Sequence, residues 1–305
     1  MTVQRTKLPP LIEGNSLVGT HIRLWGAQTK DPKASSLLAD TAKTTTDWVW
    51  GTVQIVDRAI LKKISAIKGA AGNYLKGISP NPIDGSYLVG GLPEWENGMR
   101  LLPNALSEKV YRALGEFQSQ FEAEVEKIRK ALPDALAKAR IENPNLAKDI
   151  NIDDIMENKF EFAIKRSIIT NVDDVRVKGS KAFVEGLKAD LKAEQNEKLS
   201  DIGNRCAQTV VNVARHLAES CAKYDSDKKG KSPFRDSTVN KVRDLVSIIP
   251  MLNVGNDARI DRAVSDLVGI IGNKSGDELR SDDETRKTVG EEAKKLADDI
   301  DSLFS

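Results

Sequence analysis

Residues 107–132 read SEKVYRALGEFQSQFEAEVEKIRKAL, and their large apolar side chains fall at Val110, Leu114, Phe117, Phe121, Val125, Ile128 and Leu132. The steps are 4, 3, 4, 4, 3 and 4 residues, which keeps one side of an α-helix oily while Glu, Lys, Arg and Gln fill the other. Their mean, about 3.67, sits closer to a straight helix than to the roughly 3.5 of a left-handed coiled coil, so the stripe demands no supercoil. Pro133 is expected to end or kink the helix, because it lacks an N–H and crowds the preceding turn.

Working outward, a second helix is expected over Asp153–Ile169. A much longer one runs from Ser180 to Tyr224, its stripe carried by Phe183, Leu187, Leu191, Leu199, Ile202, Cys206, Val210, Val213 and Leu217. At about 1.5 Å per residue such a rod spans roughly 65 Å. Three shorter helices follow, about 238–249, 257–271 and 282–303, with Ser237 and Asn256 as N-cap types and Ser281 with Glu284 as a capping-box pattern. Upstream, LVGTHIRLW at 17–25 alternates like a strand, and 35–65 reads as helix broken by the β-leaning patch DWVWGTVQIV. Between Lys68 and Pro103 lie seven of the 21 glycines and four of the 11 prolines, around a strand candidate Tyr87-Leu88-Val89 that could pair with 17–25. The expected fold is mainly α: an elongated helical bundle with long amphipathic helices and a small β-ribbon in the N-terminal lobe. Three regions follow: a mixed lobe at 1–103, long helices at 104–235 and short helices at 236–305.

Composition narrows the function. Of 305 residues, 40% are hydrophobic, enough for a core, while aromatics make up only 5% and charges 30%, which suits solvated helices better than an aromatic-lined ligand barrel. The net charge of +1 gives no global field for nucleic acid or an acidic membrane. Two cysteines cannot form a secreted disulfide framework. The first fifteen residues hold no apolar signal core and no stretch is long enough to span a bilayer, so a cytoplasmic location is expected.

Each candidate site competes with a plainer reading. Asp225-Ser226-Asp227-Lys228-Lys229-Gly230 with Asp236 at the twelfth place has the outline of an EF-hand loop, but Lys229 stands where calcium needs an oxygen and three lysines repel it. Gly230-Lys231-Ser232 ends like a P-loop, yet Asp225 occupies the position of its first glycine. His21 and His216 are the only histidines, and Cys206 and Cys221, 15 residues apart on one helix, are too far apart to share an ion. Adjacent acids occur at Asp153-Asp154, Asp173-Asp174 and Asp282-Asp283-Glu284; neighbours on a helix do not face each other, and the first and third groups suit helix starts, where carboxylates complement the macrodipole. Trp48, Trp50 and Trp95, with Arg58 and Arg100 close behind, are either core anchors or a stacking platform for single-stranded nucleic acid. No catalytic, cofactor or metal site is expected. Lys228, Lys229, Lys231 and Arg235 form the local cationic cluster through which nucleic acid could be contacted. Val110, Leu114, Phe117, Phe121, Val125 and Ile128 form the stripe a partner helix could meet.

The order of Leu24-Trp25-Gly26, a helix, Ser86-Tyr87-Leu88-Val89 and Leu92-Pro93, then a long amphipathic helix, resembles a family of uncharacterised phage and bacterial helical proteins. RCAQTVVNVARHLAESCAKY and TVNKVRDLVSIIPMLNV resemble that family's late helices, so the likeness covers roughly 17–275. Genes of the family often stand beside MoxR-type AAA+ ATPases and von Willebrand A domain proteins. The resemblance implies an architecture and an ATPase partner, and brings no active-site residue. The expected function is therefore a non-enzymatic helical interaction or assembly protein, acting with an AAA+ ATPase or as a homo-oligomer. The alternatives are a nucleic-acid binding protein of phage recombination or replication, and an enzyme whose site is assembled from residues distant in sequence.

Overall fold

A computed structural model describes residues 14–54, 56–142, 144, 150–172, 177, 179–224 and 236–304. The elements in chain order are β1 (Asn15–Arg23), β2 (Gln28–Asp31), α1 (Pro32–Thr41), β3 (Gly51–Gln54), α2 (Ala59–Leu75), β4 (Glu94–Glu96), β5 (Met99–Pro103) and α3 (Asn104–Glu142). Then come α4 (Ile152–Asn158), β6 (Glu161–Ser167), α5 (Lys181–Lys223), α6 (Asp236–Leu252), α7 (Ala258–Ile271), α8 (Gly276–Ser281) and α9 (Asp283–Phe304). The fold is mainly α with a small antiparallel sheet. No described helix is long and apolar enough to cross a membrane. The chain divides into two compact units: Met1–Gly19 with Asn73–Tyr111 and Arg166–Ser305, and Thr20–Gly72 with Arg112–Lys165.

In the first unit, α5 packs most extensively on α9, and α6 and α7 complete the bundle. The start and end of α5 fall where the sequence places them. Ser180 accepts from the Phe183 N–H as N-cap, and Tyr224, in extended backbone, ends the helix. Its burial is uneven. From Ile202 onward Cys206, Val210, Leu217 and Cys221 are interior, whereas Phe183 is 57% exposed and Leu187, Leu191 and Leu199 are half-buried. In α9, Val289, Ala293, Leu296, Ala297 and Ile300 form the inward face. Each fully buried leucine of this core, Leu217 and Leu245 among them, contributes about 2 kcal/mol.

Alongside the bundle, the first half of β1 pairs antiparallel with β5, Leu17 opposite Leu101, and β5 pairs with β4. The strand expected at Tyr87-Leu88-Val89 is not one. Gly90 and Gly91 take positive φ values of 82° and 66°, and the Gly91 N–H donates to the Leu88 carbonyl at 2.7 Å, so the chain turns where a strand would need extension. Leu88 is buried as a plug in a loop, and β1's partner is β5.

The second unit contains most of α2 and α3, with α1, α4 and β6. Pro133 does not end α3, which continues to Glu142 because Leu132, Leu136 and Ala139 carry the buried face past it. The helix expected over 153–169 is two elements. Asn151 caps α4 by accepting from the Asp153 and Asp154 N–H groups, and after Lys159 the chain extends into β6, whose alternating Phe162 and Ile164 fit a strand. Phe162 meets Phe121 edge to face at 5.5 Å between ring centres. β6 adjoins β1, where Arg23 pairs with Glu161 at 3.2 Å and His21 lies 3.6 Å from the same carboxylate.

Three start signals move by one residue or more. Asp257, not Asn256, caps α7; the capping box forms at Ser275 and Glu278; and Asp282 accepts from the Glu284 and Thr285 N–H groups at the start of α9. Aspartate at the true boundary out-competes the neighbouring Ser or Asn, since its charge also complements the helix dipole. Ser237 lies just inside α6.

Candidate functional site

The partner-facing stripe of α3 is interior. Val110 and Leu114 are 0% exposed, Phe117, Phe121 and Ile128 are buried and Val125 is half-buried, so this face is committed to the chain's own core and is closed to a partner. Periodicity identified a buried face; it carried no information about what buries it. Lys228, Lys229, Lys231 and Arg235, with the EF-hand-like and P-loop-like segments, lie outside the described residues, as do Asp173-Asp174.

The tryptophans part company. Trp95 is buried, with the Lys198 ammonium 5.1 Å from its ring centre. Trp48 and Trp50 are 80% and 54% exposed, which corrects their reading as core anchors. Both follow α1 in a small lobe made of β2, α1 and β3. β2 and β3 are antiparallel, from Gln28 opposite Gln54 to Asp31 opposite Gly51, and α1 packs on both.

Short side chains hold this lobe together. Asp31 caps α1 by accepting from the Lys33 N–H at 2.9 Å. The Ser35 hydroxyl donates to the Asp31 carbonyl at 2.7 Å and accepts from the Gly51 N–H at 3.0 Å, tying helix to strand. A Cβ on Gly51 would lie 2.5 Å from the Ala34 Cβ, so only glycine lets β3 approach this closely. The buried residues of α1 are Ser35 and Ala39, one turn apart. Because small residues fill the inward face, the large ones point out: Leu37 is 69% exposed and Leu38 44%. An ordinary surface helix puts its leucines inside and its serine outside. The Lys30 ammonium covers one side of the Trp50 ring at 4.8 Å. The sequence signal for this surface was the pair of leucines in a helix whose only partners of matching spacing are small.

The first unit holds a polar hollow of about 410 Å³ between residues 84–87 and α6, lined by Asp84, Ser86, Tyr87, Asn240, Lys241 and Asp244 among others. Its acids are already engaged. Ser86 donates to Asp84 through both its hydroxyl, at 2.6 Å, and its N–H, and this holds the Asp84 carboxyl below its ordinary range. Burial pushes Asp244 up, opposed by Lys109. The chemistry available there is polar binding.

Nucleophiles are quiet. Burial pushes both thiols, Cys206 and Cys221, up to about 11, so each is protonated at neutral pH. Burial and Lys241 push His216 down, leaving it neutral. Among the described residues no three His, Cys, Asp or Glu side chains come together as a metal cluster. Arg58 lies against Gln54 at 3.0 Å, and Arg100 is buried, donating to the Leu92 carbonyl at 2.5 Å.

The chain matches no protein-family model, no curated protein and no solved structure.

Proposed function

We propose that this chain is a non-enzymatic interaction protein that meets a protein partner through the β2–α1–β3 lobe. One observation carries the reading: α1 buries Ser35 and Ala39 while Leu37, Leu38, Trp48 and Trp50 stay exposed on the same lobe. Water-exposed leucine and tryptophan on one small element are costly to leave uncovered, by about 25 cal/mol per Å² of apolar surface, and such residues dominate protein interfaces. The resemblance to helical proteins encoded beside MoxR-type AAA+ ATPases makes such an ATPase the first partner to test. Self-assembly is the second.

Nucleic-acid binding in recombination or replication is the competing reading, favoured by the Lys30–Trp50 pair, which puts a cation for a phosphate beside an exposed ring on which a base could stack. Two assays separate them. Affinity capture with the wild-type chain and with a Trp48→Ala/Trp50→Ala variant identifies any protein that depends on the lobe. Binding of labelled single-stranded DNA across a salt series supports the rival only if affinity falls steeply with salt and with the same double substitution.

A further inference from the structure

On the outer side of the α5–α9 pair a groove of about 480 Å³ runs along both helices, lined by Arg215, Ala218, Glu219 and Ala222 from one and Lys287, Gly290, Glu291, Lys294 and Asp298 from the other. The floor is made of alanine and glycine, and the rim is charged. The four rim charges of α9 are exposed, and among the described residues none takes part in an ion pair. In chain order their signs are plus, minus, plus, minus, at spacings of 4, 3 and 4. That arrangement is its own antiparallel complement: turned end for end, Lys287 faces Asp298 and Glu291 faces Lys294.

The other helix obeys the same symmetry. On α5, Arg215 and Glu219 are one turn apart and of opposite sign, so they too exchange places on reversal. Gly290 sits against Cys221 and Ala218, and Arg215 pairs with Asp301 at 2.5 Å, so α5 and α9 are antiparallel. Both α5 charges are already engaged within the chain, Arg215 with Asp301 and Glu219 with Lys223 at 2.7 Å, so the uncommitted charges of the rim are those of α9. A two-fold axis across the groove at the midpoint of the α9 charges, between Glu292 and Ala293, sets all four of them against opposite signs.

We propose that this face is a self-association surface, covered by the same face of a second copy, with α9 antiparallel on α9 and α5 on α5. Isologous dimers require a patch that is complementary to itself, and the α9 charges meet that condition. The inference deepens the reading of the chain as an assembly protein, and it fails separately from it, because the tryptophan lobe is not part of the groove.

The test is sedimentation equilibrium of the full chain at low and at physiological salt, with wild type, Glu291→Lys, and the exchange Glu291→Lys/Lys294→Glu. All three keep exposed side chains on a helix surface, and circular dichroism checks that α9 still folds. The wild type should be a dimer whose dissociation constant rises with salt. Glu291→Lys sets one lysine of each copy against Lys294 of the other, twice by symmetry, and should weaken the dimer about tenfold or more. The exchange variant restores opposite signs and should return it to near wild type. A monomer at all concentrations and salts overturns the proposal, as does a dimer indifferent to Glu291→Lys or one that the exchange variant does not rescue.

Discussion

Gly290 of α9 lies against Cys221 of α5 so closely that a Cβ on the glycine would stand 3.0 Å from the cysteine Cβ. The contact belongs to the most extensive helix pair among the described residues, and the missing side chain lets the two backbones approach there. Gly290→Val should destabilise the protein by about 1–3 kcal/mol through overpacking, visible as a lower denaturant midpoint at unchanged m-value. Gly290→Ala should cost less, because better helix propensity offsets part of the crowding.

The two buried thiols of α5, Cys221 at this contact and Cys206 about four turns earlier, give a pH signature. Cys206 and Cys221 have folded values pushed up to about 11 from an ordinary 9.0, so the unfolded chain loses its thiol protons first. Their contribution to stability is complete below about pH 9 and is lost as pH rises from there towards 11. Unfolding curves at pH 8 and pH 10 should show the drop, and Cys206→Ala/Cys221→Ala should flatten it. At pH 8 a thiol reagent should label the native chain far more slowly than the denatured one.

Arg286 is a buried cation with three contacts: it donates to the Leu279 carbonyl at 3.1 Å, pairs with Asp283 at 2.5 Å and lies 4.6 Å over the Tyr224 ring, while its buried Nε meets no acceptor among the described residues. Arg286→Met keeps much of the packing and removes the donors, leaving the Leu279 carbonyl without its partner. Asp283 is largely exposed and stays solvated, so a loss of about 1–3 kcal/mol, from the orphaned carbonyl, is expected in chemical denaturation.

Pro133 stands exposed inside α3, where it removes one helical hydrogen bond. Pro133→Ala should raise stability by about 1–3 kcal/mol, read as a higher melting temperature.

How far the sequence foretold this fold depended on whether one physical signal dominated a segment. α5 was legible from Ser180 to Tyr224 because a capping serine, a continuous stripe and a polar break agree. β2 was not, since QTKD has no apolar residue and is a strand only because β3 pairs with it. β6 was taken for helix because its apolar residues, read together with Ile155 and Met156, also fit a three-to-four spacing; alternation within EFAIKRS was the better guide. The α3 stripe shows the limit most clearly, since spacing marks a face to be covered and is silent about whether the chain or a partner covers it. The lobe of Leu37 and Trp48 was hidden for the opposite reason: its inward face is made of Ser35 and Ala39, which no hydrophobic pattern picks out.

The most direct test of the interaction surface is quantitative affinity capture with wild type and Trp48→Ala/Trp50→Ala, at equal amounts of folded protein. Both side chains are exposed, so stability should change by no more than about 0.5 kcal/mol. The account predicts that a protein partner, an AAA+ ATPase first among the candidates, is retained by the wild type and lost from the variant. Identical captured proteins from the two chains would contradict it.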